Sequence, residues 1–181
     1  MNRTLRKKRT STAALLFAAA SGLGFLAPAT AAHAAAPDPV YWSFSNNTYY
    51  PNQCLTGGKK NSQGTSSVFM ATCTGSYYQK WDWRGEDPTN PSFLELQNKA
   101  TGLCLATDYK SDDYNAVWAS TCEWRPGMRF RYVFNDDMPN SGGELMSDFT
   151  HPPYGDYSEL RPAASGAVYN GLPDFAWNGT F

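Results

Sequence analysis

The chain has 181 residues, enough for one domain with a sizeable core, and its formal charge is near balance, with 15 Lys and Arg against 16 Asp and Glu. Five of the basic residues fall within the first nine positions, so the 147 residues that follow position 34 carry a formal charge of −6. A negative chain without a basic stripe excludes nucleic acid and anionic membrane surfaces as its expected partners.

The N-terminus comes first. Arg3, Arg6, Lys7, Lys8 and Arg9 precede the apolar run STAALLFAAASGLGFLA, and small residues follow up to Ala32-His33-Ala34. This is the layout of a cleaved secretory signal over residues 1–34, with an A-x-A site and cleavage between Ala34 and Ala36. Ser and Gly interrupt the run, which a membrane span would need at about 20 apolar residues. The expectation is a secreted, extracellular protein, free of the membrane once the signal is removed. It is taken as a monomer whose single domain covers residues 35–181.

The next landmark is NQCLTG (Asn52 to Gly57), followed by the turn formers GGKKNSQGTSS and then by VFMATC (Val68 to Cys73), a short run rich in β-branched and aromatic residues. CTGSYYQKW closes this stretch, with Trp81 eight residues after Cys73. Alternation puts Gln79, Trp81 and Trp83 on one face. Trp81 is placed inside, and Gln79 is expected to bond to backbone within its own unit, since a buried amide needs partners.

The pattern then recurs. After RGEDPTNPS come FLELQN (Phe93 to Asn98), an alternating half-buried strand, TGLCLAT (Thr101 to Thr107) and VWASTC (Val117 to Cys122). Cys54 to Cys104 is 50 residues and Cys73 to Cys122 is 49. Two copies of one unit explain these spacings, each closing its own loop as Cys54–Cys73 and Cys104–Cys122. An even cysteine count in an exported chain supports disulfides over a metal site. No CxxC occurs, and His151 is the only histidine after the signal, so neither a metal nor another cofactor is expected. Phe130 stands where Trp81 stood, and Met128 where Gln79 stood.

A weaker third copy completes the chain. GGELMSD (Gly142 to Asp148) is aligned with the cysteine-bearing stretches, Leu145 replacing the cysteine. YNGLPDFAW (Tyr169 to Trp177) is laid over CTGSYYQKW, so that Gly171 matches Gly75 and Trp177 matches Trp81. HPPYG (His151 to Gly155) is read as an insertion. The anchors Trp81, Phe130 and Trp177 are thus 49 and 47 residues apart. No segment after the signal has sustained helical periodicity. Short strands at regular spacing, with Gly and Pro turns, predict an all-β barrel or sandwich in which the three units share one core.

These residues resemble the ricin-type β-trefoil lectins: CL near the start of the first two units, N-x-x-T-G-x-C-L from Asn98 to Leu105, and C-x-G then Q-x-W from Cys73 to Trp81. The resemblance covers roughly Phe44 to Trp177. It implies a β-trefoil of twelve strands in three lobes (about 40–88, 89–133 and 134–181), with a closed six-stranded barrel capped by three hairpins. It also implies carbohydrate binding, with a polysaccharide or glycan as partner.

In that family a lobe's sugar site typically uses an Asp two residues after the first cysteine, an aromatic two before the second, and an Asn before the Gln. Here Thr56, Ala106 and Ser147 stand at the Asp position, Ala71 and Ser120 at the aromatic position, and Tyr78, Gly127 and Asp174 at the Asn position. Other rings lie nearby. Phe69 and Trp118 each precede the second cysteine of their unit by four residues, on the same face as the missing aromatic and about 7 Å from it. The resulting expectation is a shifted sugar platform, Phe69 with Tyr78 and Gln79 in lobe one and Trp118 with Asp108 in lobe two. The alternative role for these rings is packing beneath the hairpins.

Catalytic signals are sparse. Neither GxSxG nor HExxH occurs, and Asp112-Asp113 and Asp136-Asp137 lie in turn-like stretches where solvated charge is the ordinary role. The chain is read as a non-enzymatic binding module. The other function class is a trefoil that binds protein through loops, such as a protease inhibitor, using HPPYG and RGEDPTNPS. Loss of polysaccharide chain length would instead mark a small glycoside-active enzyme.

Overall fold

The computed structural model describes residues 39–46, 50–85, 92–108, 110, 114–134, 142–151, 156–171 and 177–181. The signal segment, most of RGEDPTNPS and of HPPYG, and Tyr109, Asp112, Asp113, Asp136, Asp137, Asp174 and Phe175 lie outside the described residues. Among the described residues no helix is long and apolar enough to cross a membrane.

Among the described residues twelve strands follow in chain order, four to a unit. The first unit holds β1 (Ser43–Ser45), β2 (Gln53–Gly57), β3 (Ser66–Thr72) and β4 (Trp81–Arg84). The second holds β5 (Glu95–Asn98), β6 (Cys104–Thr107), β7 (Asn115–Ser120) and β8 (Phe130–Phe134). The third holds β9 (Gly143–His151), β10 (Asp156–Pro162), β11 (Val168–Gly171) and β12 (Asn178–Thr180). VFMATC, FLELQN and VWASTC fall on β3, β5 and β7, within a few residues of their predicted bounds.

Six of these strands close a ring. Between units, β4 pairs with β5, β8 with β9 and β12 with β1, all antiparallel. Within each unit the first and fourth strands meet at a single bridge: Trp42 with Trp81, Leu94 with Phe130, and Gly143 with Trp177. Each bridge is a reciprocal pair of backbone hydrogen bonds, 2.7 and 2.9 Å, 2.8 and 2.7 Å, and 2.6 and 2.7 Å respectively. Closure leaves the barrel without a free sheet edge.

The other six strands form three hairpins, β2–β3, β6–β7 and β10–β11. They also join each other in a ring. Ser67 pairs with Trp118, Ala116 with Tyr169 and Ala167 with Phe69. Each partner is the residue two before the corresponding ring of its own hairpin, so the contact repeats around a threefold axis. The architecture is a β-trefoil.

The registers identify equivalent core residues. Trp81, Phe130 and Trp177 form one set, Phe44, Leu96 and Leu145 a second, and Leu55, Leu105 and Leu160 a third; all nine are fully buried. The indole N–H of Trp81 donates to the Leu55 carbonyl at 3.0 Å, and that of Trp177 to the Leu160 carbonyl at 2.7 Å. Each ring therefore ties the barrel to the hairpin of its own unit. Disulfides join Cys54 to Cys73 and Cys104 to Cys122, one inside each of the first two units.

The third unit corrects the expected alignment. Leu145 does not occupy the cysteine position. It pairs with Tyr132 in the barrel, as Leu96 pairs with Trp83 and Phe44 with Gly179. The cysteine position is held by Glu159, which pairs with Gly171 as Cys54 pairs with Ala71 and Cys104 with Ser120. Gly171 consequently matches Ala71 rather than Gly75, and Tyr169 matches Phe69 rather than Cys73. Six residues separate Gly171 from Trp177, against ten between the equivalent residues of the other units. The longer arm before the hairpin and the shorter loop after it nearly offset each other. Anchor spacing therefore survives a shift of the whole hairpin.

Two stability predictions follow from this core. Trp81→Ala removes a fully buried ring and should cost about 3–5 kcal/mol in denaturant unfolding, whereas Trp81→Phe, which strands the Leu55 carbonyl, should cost about 1–3 kcal/mol. Replacing Cys104 and Cys122 together by Ala should lower stability by about 3 kcal/mol, since that bridge closes a loop of 18 residues.

Candidate functional site

The first lobe carries a cavity of about 480 Å³ between the face of its hairpin and the loop that leads into β4. The loop is held by Gln79, which ends a short 3-10 turn over Tyr77–Gln79. Its Oε1 accepts from the backbone N–H of Thr74 at 2.8 Å and of Gly75 at 3.2 Å, and from the Thr74 hydroxyl at 3.2 Å. Its Nε2 donates to the Thr72 carbonyl at 2.8 Å and to Thr56 Oγ1 at 3.1 Å. The Thr56 hydroxyl in turn donates to the Cys54 carbonyl at 2.8 Å. Gly75 permits the turn with φ of +70°, a value costly for other residues.

Gln79 is 2% exposed, and both ends of its amide are engaged inside the protein. Its role in the cavity is to position the loop, and Thr56 is likewise engaged. The groups left facing the cavity are of a different kind. Phe69 and Tyr78, both half-buried, supply apolar ring surface, and Thr72 and Ser76 contribute at the rim. Gly57 and Gly58 open the far wall, where a Cβ on Gly58 would lie 2.4 Å from Ser67 Oγ. Among the described residues, Lys59 is the single charged residue of the lining.

Lobe two is built differently at the same positions. Trp118, the counterpart of Phe69, lies against Cys104, Ala106 and Met128, with Cys122 beside them. The Arg125 guanidinium sits 6.0 Å over its ring. Asp108 lies opposite Ala116, two residue pairs along from Trp118, and its carboxylate is turned to Lys110 at 3.3 Å. Met128 cannot make the Gln79 contacts. Asp148 of the third unit holds the loop at a different point, accepting the N–H of Gly127, the counterpart of Tyr78, at 3.3 Å while ion-paired to Arg129. Burial pushes the Asp148 carboxyl above the ordinary aspartate value of 3.8, and the nearby Arg129 and the Gly127 N–H only partly oppose this.

Lobe three holds a ring that sequence reasoning missed. Tyr169 pairs with Arg161 as Phe69 pairs with Thr56 and Trp118 with Ala106. The signal was present as a valine followed by an aromatic: Val68-Phe69, Val117-Trp118 and Val168-Tyr169. Tyr169 meets the exposed Tyr114 edge-on, with ring centroids 5.8 Å apart. Among the described residues, Glu95, Cys104 and Cys122 group at metal-ligand spacing. Both cysteines are in the disulfide, and Glu95 Oε1 accepts the Trp124 N–H at 2.7 Å.

The barrel, the hairpin ring and the buried anchors define a β-trefoil, the fold of several lectins. No protein-family model matches the chain, and no curated protein matches it. Solved structures do. A designed threefold-symmetric protein, ThreeFoil, superposes with a TM-score of 0.61 at 14% identity, over 78% of this chain and 98% of its own. The β-trefoil lectin of the Vibrio vulnificus hemolysin/cytolysin, solved with N-acetyl-D-lactosamine bound, gives 0.56 at 15%, over 79% and 95%. A Polyporus squamosus lectin, solved with a Neu5Ac-containing epitope, gives 0.60 at 11%, over 78% of this chain and 48% of that one. These likenesses establish the fold, and they include carbohydrate-binding lectins.

A pH prediction follows from Asp148. Its raised carboxyl takes up a proton more readily in the folded chain than in the unfolded one. Its contribution to stability is therefore greatest below the ordinary value of 3.8 and declines as pH rises through that value toward the raised one. Denaturant unfolding across this range should show the decline, and Asp148→Asn should flatten it.

Proposed function

We propose that this protein is an exported, non-catalytic carbohydrate-binding module whose working site is the lobe-one cavity between Phe69 and Tyr78. The observation that carries this reading is the pairing of two half-buried rings with rim hydroxyls around an open cavity of about 480 Å³. Sugar C–H groups pack on aromatic faces, and hydroxyls and amides fix the orientation of the ring. The usual galactose geometry is not the model for this site, because Thr56 replaces the carboxylate and its hydroxyl is engaged.

Lobe two is the weaker candidate. Trp118 rests on the cluster beneath it, and Asp108 is held by Lys110. The two disulfides agree with an oxidising, extracellular setting.

A glycan array of the processed chain tests the reading directly. For the best ligand found, Phe69→Ala and Tyr78→Ala should each weaken binding about tenfold, or 1.4 kcal/mol. Trp118→Ala should change it less than about twofold. Gln79→Ala should both weaken binding and lower the unfolding midpoint, since it releases the loop. An array without any bound glycan would overturn the proposal. Unchanged affinity in both ring variants would remove this cavity as the site.

A further inference from the structure

Resting on that reading of the lobe-one cavity, we infer that its ligand is an acidic saccharide, whose anionic group is held by Lys59. Among the described residues, no carboxylate lines the cavity, and Lys59 is the one charged residue of its lining. Neutral sugars are commonly gripped through hydroxyls that donate to a carboxylate or amide oxygen. Here the amide oxygen of Gln79 already accepts three hydrogen bonds, and the Thr56 hydroxyl is engaged in both directions. An ammonium only donates, so it favours a ligand that brings negative charge and spare lone pairs.

The base of Lys59 is held firmly. On one side, Gly58 N–H donates to the Ser67 carbonyl at 2.7 Å. On the other, Asn61 organises the turn: its Oδ1 accepts from the N–H groups of Gln63 at 2.9 Å and Thr65 at 3.0 Å, and its Nδ2 donates to Thr65 Oγ1 at 2.9 Å. The Asn61 N–H closes the turn onto the Thr65 carbonyl at 2.8 Å. The backbone that carries Lys59 is thus fixed beside the cavity, while its exposed four-carbon side chain keeps the freedom to follow a ligand. No ion pair of Lys59 exists among the described residues, so its charge is not neutralised there. Lys60 does not share the task, for its side chain folds over its own turn, with Cε 3.9 Å from where a Cβ on Gly64 would stand.

Phe69 and Tyr78 would then carry the sugar ring while Lys59 meets its acidic substituent. Either a carboxylate or a sulfate satisfies this chemistry, and the ligand set distinguishes them. The test is calorimetric titration of the processed chain with galacturonate, glucuronate and alginate oligomers, the methyl ester of each, a sulfated galactan and its desulfated form. The expected result is binding of at least one acidic oligomer, with its uncharged counterpart about fivefold weaker. Lys59→Met should remove that difference and Lys59→Arg should restore it, with melting temperature unchanged in both. If neutral oligosaccharides bind as tightly as acidic ones and Phe69→Ala weakens both, the acidic inference is overturned and the glycan reading stands. If nothing binds, acidic or neutral, both fall.

Discussion

The six-stranded ring closes because each unit joins its own first strand to its own last by two backbone hydrogen bonds at one residue pair. The fourth-strand member of that pair is Trp81, Phe130 or Trp177, each fully buried. The bridge fixes where the ring side chain enters the barrel, and in the two tryptophan units the indole N–H then reaches a hairpin carbonyl. One position therefore sets barrel closure, core filling and hairpin placement together. A burial that satisfies its own polar atom adds stability without stranding a donor.

Threefold repetition of the backbone does not demand threefold repetition of side chains, and the mouth of the barrel shows how the difference is absorbed. Trp42 and Leu94 have Gly143 as their third counterpart, and Trp83 and Tyr132 have Gly179. A Cβ on Gly143 would lie 2.5 Å from the Tyr132 ring, and one on Gly179 would lie 3.1 Å from Trp42. The third unit yields its volume to rings from the other two. Tyr132 is in turn fixed by donating to the Trp177 carbonyl at 2.8 Å and accepting the Gly179 N–H at 3.1 Å. Trp42 and Phe44 stack beside it.

The same freedom produces a cavity at the first hairpin and a direct hairpin–loop bond at the second. Lobe one has Gly57, Gly58 and Ala71 where lobe two has Thr107, Asp108 and Ser120, and it has Tyr78 where lobe two has Gly127. Small residues on the hairpin and a ring on the loop leave a walled space in the first. In the second, Thr107 N–H bonds directly to the Gly127 carbonyl at 2.7 Å, so hairpin and loop are drawn together. With Met128 in place of Gln79, the loop is held by Glu95, which accepts the Trp124 N–H, and by Asp148 from the neighbouring unit, which accepts that of Gly127.

Period, disulfide pairing and buried anchors were legible in the residues alone, because cysteines and large rings each carry a constraint that survives divergence. Phe69 was placed by counting along its strand, whereas Tyr78 stands in a 3-10 turn, where strand alternation does not apply, and its place was implied by the resemblance. The third hairpin was not. Its cysteines are gone, and a lengthened arm nearly cancels a shortened loop, so spacing between anchors conceals where Glu159 and Tyr169 sit. Nor could counting reveal that Gln79 is fully engaged, that Asp108 turns to Lys110, or that Lys59 is, among the described residues, the one charged residue lining the cavity. Those depend on which groups meet across the fold. Local pattern determined the repeating β architecture, whereas the partners of each polar atom, and with them the chemistry of the site, were decided only by tertiary contact.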